Sequence, residues 1–145
     1  MHSRGDGRGI AEGWRIWPFL CTELKRGRGK PNGRGKPNTR GTMSEITLDT
    51  ERMEWEKAGS YPDGTRIKVL RDEGDKRSVL LELPEGFRME AHTHTCCEQH
   101  FVLEGSYEAA GEEHGVGTYQ CIPAHTNHGP FSSRRGATIL VVWEG

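Results

Sequence analysis

The amino-acid sequence predicts an all-β fold, a sandwich or a barrel, from Met43 to the C-terminus. Short runs of apolar and β-branched residues recur about every 8–12 residues, which is typical of such folds. Turn residues such as Pro62-Asp63-Gly64 and Asp72-Glu73-Gly74-Asp75 separate the runs. No long segment has the apolar spacing of an amphipathic helix, and only Leu48–Ala58 could form a helical turn.

Eight segments fit the strand pattern. In the first of them Ile67 and Val69 share one face, because side chains alternate along a strand. In chain order the predicted strands cover residues 65–70, 78–83, 89–94, 98–103, 106–110, 117–122, 128–131 and 137–143.

Residues 1–42 differ sharply in composition from the rest of the chain. The hexapeptide at residues 27–32 is repeated at once at residues 33–38, and Gly, Arg and Pro predominate. Ten basic and three acidic residues give this segment a charge of +7, which leaves −8 for residues 43–145. Such a composition buries too little apolar surface to offset the entropy of ordering. We therefore predict a disordered basic tail over residues 1–42 and one domain over residues 43–145.

Two interpretations of this tail remain open. It could be a basic arm for nucleic acid, or an upstream extension of a chain whose native start is Met43, where the composition changes. The tail lacks the interleaved aromatic residues on which single-strand binders stack bases. We favour the extension and expect no nucleic-acid binding by the tail.

The sequence predicts no membrane segment, because no apolar run approaches the roughly 20 residues that a spanning helix needs. The stretch Trp14–Cys21 is too short and too interrupted for a secretory signal. The four cysteines, Cys21, Cys96, Cys97 and Cys121, have no spacing typical of a disulfide framework. We therefore expect a reduced, cytoplasmic protein.

Three histidines and one glutamate form a candidate metal site. His92 and His94 lie in a predicted strand, where side chains at i and i+2 project from the same face. Glu98 has the same parity, and His128 opens a later strand whose antiparallel pairing would bring it opposite the pair. Neutral imidazole and carboxylate suit Fe, Mn, Co, Ni, Cu or Zn. Three nitrogens and one oxygen would leave coordination positions open, as in catalytic rather than structural sites.

The spacing around these residues resembles two motifs of the cupin superfamily. The first motif, Gly-x5-His-x-His-x3-Glu-x6-Gly, is matched at every fixed position by Gly86, His92, His94, Glu98 and Gly105. The second motif is matched at Gly117, Pro123 and His128. His125 replaces its usual glycine, and Ser132 stands where asparagine is usual, so the loop after Pro123 departs from the pattern.

The resemblance implies a cupin jelly-roll β-barrel that holds one divalent transition-metal ion per chain. It places the metal ligands at His92, His94, Glu98 and His128, and we expect Fe²⁺ or Zn²⁺, with Mn²⁺ or Ni²⁺ as alternatives. Residues 64–141 are most similar to the cupin domain of zinc-binding anti-sigma factors and to the dihydroxyacetophenone dioxygenase group.

Two functions are implied by these relatives. The first is a metal-dependent dioxygenase for a small chelating carbonyl or aromatic ketone substrate, in which Glu98 changes from ligand to proton acceptor. The second is a non-catalytic zinc-binding module that senses a small ligand or regulates a partner. The anti-sigma proteins carry a separate helical domain that residues 1–42 could not supply, so we expect no sigma-factor partner. We favour the enzyme and expect a homodimer, as is usual for small single-barrel proteins.

Further residues near the motifs have alternative interpretations. His100 has the parity of Glu98, so it is a candidate catalytic residue that hydrogen-bonds Glu98 or acts as a general base, or else a buried core histidine. His125 is a candidate substrate contact at the predicted barrel mouth, or an exposed loop histidine. Cys96 and Cys97 could bind a soft metal or sense oxidation, but we favour buried apolar roles. We expect His114 to be exposed at a hairpin tip.

Overall fold

The computed structural model describes residues 45–145, so the prediction of a disordered tail at residues 1–42 lies outside the described range. Within that range a 3₁₀ turn at Thr50–Arg52 precedes nine strands. In chain order these are β1 (Glu56–Lys57), β2 (Arg66–Glu73), β3 (Lys76–Leu83), β4 (Phe87–Met89), β5 (Cys97–Ala109), β6 (Glu112–Gly115), β7 (Tyr119–Ile122), β8 (Phe131–Ser133) and β9 (Ala137–Glu144).

The nine strands form one sheet that curls into a partly open barrel. Their order is β1-β2-β3-β9-β5-β8-β4, and β6 and β7 also pair with β5. Every strand pair is antiparallel. The predicted all-β barrel is therefore confirmed over residues 45–145.

Strand β5 positions the site because it pairs with four other strands. Its first half is hydrogen-bonded to β7 and β9, and its second half to β6 and β8. Glu98, His100 and Val102 alternate inward from β5. A bulge between Val102 and Glu104 then changes the parity, so that Tyr107 also faces inward.

The core lies on the inner face of the curled sheet. Strand β9 shows the alternation that builds it, because every second residue from Ala137 to Trp143 is buried. Burial of each large apolar side chain contributes roughly 1.5–3 kcal/mol to stability. The largest fully buried side chains are Trp143, Tyr107, Leu81, Val79, Val102, Val141 and Thr65. Among residues 45–145 there is no helix of the length and hydropathy needed to cross a membrane.

Three of the strand predictions were wrong in a way that bears on the site. His92 and His94 do not lie in a regular strand, since β4 ends at Met89 and His92 makes only an isolated bridge with His128. His128 does not open a strand either, because β8 begins at Phe131. Pro130, next to β8, has no N–H with which to continue the β4–β8 ladder. The break expected at Gly105 is also absent, because the bulge carries β5 through that residue as one strand of 13 residues.

Candidate metal centre

Four potential metal ligands converge inside the barrel. His92 and His94 lie between β4 and β5, Glu98 is the second residue of β5, and His128 precedes β8. One ligand atom from each residue lies within 4.8 Å of the others. The side chains of His94, Glu98 and His128 are almost completely buried. The structure therefore brings together all four residues that the sequence singled out as ligands.

Backbone hydrogen bonds hold the two histidine-bearing segments against each other. The N–H of His92 donates to the carbonyl of His128 at 3.0 Å, and the N–H of His128 returns a bond of 2.9 Å. The N–H of His125 donates to the carbonyl of His94 at 2.7 Å. His125 has φ of 61°, a left-handed conformation that explains why glycine is usual at this position of the second motif. His125 thus takes a backbone conformation that glycine adopts without strain.

The tautomers of two imidazoles follow from their backbone partners. Nδ1 of His92 lies 3.0 Å from the carbonyl oxygen of Glu90, and Nδ1 of His128 lies 2.9 Å from that of Thr126. A carbonyl oxygen only accepts hydrogen bonds, so Nδ1 carries the proton in each ring. In the neutral ring Nε2 is then unprotonated and carries a free lone pair, which is the form in which histidine binds a metal.

Unpaired buried atoms show that the donor set fits a metal. Oε2 of Glu98 lies 2.8 Å from Nε2 of His94 and 3.1 Å from Nε2 of His128. All three atoms are buried and lack a partner with hydrogen-bond geometry. Buried polar atoms without partners are rare, and a shared ion would explain three that face one another. Imidazole nitrogen and carboxylate oxygen suit first-row divalent metals.

The histidine cluster holds Glu98 in its ionised form. Burial alone would raise the pKa of Glu98, but contacts with His100, His128 and His94 outweigh it and hold the pKa well below its usual range. Burial lowers the pKa of His92, and the neighbouring His128 and His94 add to that effect. For His128 burial also acts to lower the pKa, but Glu98 and the Thr126 carbonyl raise it overall. A metal ion would compete with protons for this site.

A chain of buried polar side chains continues outward from Glu98. Oε1 of Glu98 lies 2.9 Å from Nε2 of His100, and Nδ1 of His100 lies 3.0 Å from the hydroxyl of Tyr107. That hydroxyl donates to Oε1 of Gln120 at 3.0 Å. His100 thus hydrogen-bonds Glu98, as one of its sequence interpretations expected. Tyr107 and Gln120 were not predicted from the sequence.

Proton counting limits the states of this chain. The single hydroxyl proton of Tyr107 points to Gln120, so Tyr107 accepts from Nδ1–H of His100. In a neutral His100, Nε2 would then be unprotonated, so its lone pair would face a carboxylate oxygen with no proton between the two acceptors. With the Gln120 amide oxygen toward Tyr107, the 2.9 Å contact requires one proton shared between His100 and Glu98. One proton of this pair is accordingly held beside the metal site.

The cavity above the cluster is small and mainly apolar. Its free volume is about 20 Å³, close to the space that one water molecule occupies. His92, His94, Glu98 and His100 contribute its polar lining. The other lining residues are Tyr61, Leu81, Leu83, Phe87, Met89, Tyr107, Phe131 and Ile139.

The remaining candidate residues lie outside this cavity. His125 is exposed and does not line it, so its role as a substrate contact stays a prediction. His114 is half-buried rather than exposed, because its ring packs 5.1 Å from that of Tyr107. Cys96 is buried, as expected, whereas Cys97 is partly exposed on the outer face of β5.

Replacement of His100 by alanine is expected to weaken metal binding by about 10–100-fold, the range for residues that orient metal ligands. The substitution leaves Oε1 of Glu98 buried without its partner. Tyr107→Phe should have a smaller effect, because it keeps the ring and removes only the hydroxyl. Competition with a chromogenic chelator would measure both dissociation constants. Tyr119→Phe, on the outer face, is the matched control, and an unchanged Kd in His100→Ala would contradict the prediction.

Comparison with known families decides the classification of the chain. The sequence model described as the ChrR Cupin-like domain matches residues 43–144. The chain belongs to the ChrR cupin-like family. The predicted cupin fold and its similarity to the anti-sigma cupins are thereby confirmed. No curated protein matches the sequence significantly.

Solved structures show the same fold at low sequence identity. The complex of Rhodobacter sphaeroides SigE with the anti-sigma ChrR is 23% identical, with a TM-score of 0.55, over 66% of this chain and 52% of the other. This ChrR cupin-like chain therefore spans about half the length of that relative. A putative acetylacetone dioxygenase from Methylibium petroleiphilum is 16% identical, with a TM-score of 0.66, over 73% and 81% of the two chains. An acetylacetone dioxygenase from Acinetobacter johnsonii is 14% identical, with a TM-score of 0.60, over 77% and 81%.

Proposed function

We propose that this protein is a metal-dependent dioxygenase for a small substrate that chelates a metal through carbonyl oxygens. The observation that carries the proposal is the convergence of three imidazoles and one carboxylate, within 4.8 Å of one another, beside a mainly apolar cavity. His92, His94, Glu98 and His128 would hold the ion. A redox-active ion such as Fe²⁺ would polarise a carbonyl oxygen and exchange electrons with O₂.

Glu98 and His100 would carry the proton chemistry. His100 is bound to Oε1 of Glu98, which leaves Oε2 to face the other ligands. A carbon atom beside a carbonyl group loses a proton more readily when the negative charge that results is stabilised. Glu98, with His100 bound to it, would be the base within reach of a substrate in the cavity. The apolar walls would exclude water from that transfer.

The cavity volume favours a compact substrate. About 20 Å³ of free space does not admit an aromatic ketone without movement of the walls. A small 1,3-dicarbonyl needs less displacement and offers two oxygens for chelation. The likeness to two acetylacetone dioxygenases supports the same choice. We therefore place small chelating carbonyl compounds ahead of aromatic ketones.

A second candidate function is a non-catalytic zinc module that senses a ligand or regulates a partner. The match of residues 43–144 to the ChrR cupin-like family favours it, as does the likeness to the SigE–ChrR complex. In that case the ion would stabilise the fold and the small cavity would admit only a small ligand. The expected homodimer and the cytoplasmic location remain predictions under either function.

Elemental analysis followed by an oxygen electrode distinguishes the two functions. We expect about one metal ion per chain, and oxygen uptake on addition of acetylacetone when the ion is Fe²⁺. Glu98→Gln should lose the uptake, whereas Glu104→Gln, exposed on the same strand, should keep it. Tightly held zinc, with no uptake of oxygen after reloading with Fe²⁺, Mn²⁺ or Ni²⁺, would overturn the enzyme and favour the zinc module.

A further inference from the structure

Two free cysteines meet on the outer face of the barrel. Sγ of Cys97 lies 3.6 Å from Sγ of Cys121, close enough for a thiol hydrogen bond. Both residues are unoxidised. They are 24 residues apart in the sequence, and neither lines the metal cavity. The metal-centred function leaves this pair of thiols without a role.

The pairing of β5 with β7 creates this contact. Gln99 lies directly opposite Cys121 in the antiparallel register, and Glu98 lies opposite Ile122. Cys97 precedes Gln99 by two residues and therefore projects from the same face as Gln99, in the diagonal position to Cys121. Two hydrogen-bonded strands thus hold the thiols together.

The surroundings of the pair leave one thiol open to reagents. Cys121 is exposed, whereas Cys97 is only partly exposed. Gln99, which lies opposite Cys121 in the register, accepts a hydrogen bond of 3.0 Å from the Tyr119 hydroxyl. Gln99 in turn donates to Glu144 of β9 at 3.4 Å. A small peroxide would consequently meet Cys121 before Cys97.

We propose that Cys97 and Cys121 are a redox-active dithiol that a hydroperoxide converts into a reversible interstrand disulfide. In the first step sulfur of Cys121 attacks the peroxide, the O–O bond breaks, and a sulfenic acid forms with release of an alcohol, or of water from hydrogen peroxide. In the second step sulfur of Cys97 attacks the sulfenic sulfur. The S–O bond breaks, the S–S bond forms, and the oxygen leaves as water with the proton of the Cys97 thiol. Two electrons pass from the two thiols to the peroxide.

The reaction requires only a local movement. A disulfide holds its sulfurs about 2.05 Å apart, so the two side chains must approach from their 3.6 Å separation. Reduction by a dithiol reverses the step through a mixed disulfide, provided that the bond stays accessible. The exposure of Cys121 provides that access.

The test uses the full-length chain carrying Cys21→Ser and Cys96→Ala, which leaves the proposed pair as its only cysteines. After treatment with hydrogen peroxide or cumene hydroperoxide, we expect both thiols to disappear together. The intact mass should fall by two hydrogen atoms, the protein should remain a monomer on a non-reducing gel, and dithiothreitol should restore both thiols. In the wild-type chain, which keeps all four cysteines, peptide fragmentation should locate the same cross-link between Cys97 and Cys121.

Single variants identify the order of the steps. Cys97→Ser should stop at a sulfenic acid on Cys121 that dimedone traps, and Cys121→Ser should leave Cys97 largely unreacted. Circular dichroism would verify the fold of each variant. Independent loss of the thiols with gain of oxygen, or cross-links only between chains, would overturn the proposal. The assay does not depend on metal or substrate, so its failure is separate from failure of the proposed function.

Discussion

Replacement of Glu98 by alanine is expected to reduce bound metal from about one ion per chain to near zero. Glu98 supplies the only carboxylate of the cluster, and its Oε2 is the atom that both His94 and His128 approach. Without it, two buried imidazole nitrogens lose their anionic neighbour. His94→Ala should have a similar effect, because it removes one of three nitrogen donors. Elemental analysis after dialysis against trace metal would measure the loss.

Thermal unfolding provides the second measurement for these variants. An ion that binds only the folded state stabilises it by about 2.7 kcal/mol at a concentration 100 times its Kd. The wild-type protein should therefore melt at a higher temperature with metal, and Glu98→Ala and His94→Ala should show no such shift. His114→Ala, a histidine replacement outside the cluster, should keep both the ion and the shift. Full metal content in Glu98→Ala would contradict the assignment of this site.

Replacement of Gly105 by alanine is expected to destabilise the fold by about 3–5 kcal/mol, the upper end for single substitutions. Gly105 has φ of 65°, and an added Cβ would lie 2.2 Å from the carbonyl oxygen of Gly136. Gly105 pairs with Ala137 in the β5–β9 ladder, and Gly136 directly precedes Ala137. Backbone must therefore move to admit the methyl group. Urea unfolding of the apo protein would measure the loss.

Gly111 provides the matched control for this substitution. Its φ of 85° is also left-handed, but nothing lies within 4 Å of an added Cβ. Gly111→Ala should therefore cost only the conformational penalty of about 1–2 kcal/mol. The difference between the two variants isolates the close approach of β5 to the segment before β9. Equal losses of stability would show that the clash relaxes without cost.

Spacing along the chain predicted the ligand cluster even though part of the predicted secondary structure was wrong. His92 and His94 lie outside any regular strand, yet a single bridge to His128 keeps the segment extended and the two imidazoles on one side. Side chains at i and i+2 share a face wherever the backbone is extended, and that bridge keeps it extended. Alternation along β5 likewise predicted His100 beside Glu98, where the structure has it.

The rest of the polar chain and the dithiol depend on pairings that one sequence does not reveal. Counted by alternation from Glu98, Tyr107 would face outward, and only the bulge after Val102 turns it inward. Gln120 reaches the chain because β7 places it directly opposite His100. The contact of Cys97 with Cys121 depends on the same β5–β7 register. A bulge and a register are set by contacts across the barrel, so local pattern did not predict them.

The four ligand residues belong to regions of unequal local stability. Glu98 lies in β5, which is hydrogen-bonded on both sides, whereas His92 and His94 lie in a segment with few backbone hydrogen bonds. Segments of the second kind open at far lower free energy than the strands of a core. An ion bound by β5 and by this segment together would restrict the local opening of residues 90–96. The free energy needed to order the segment would lower the observed affinity for the ion. Substitutions that stiffen this segment without touching a ligand would then tighten metal binding.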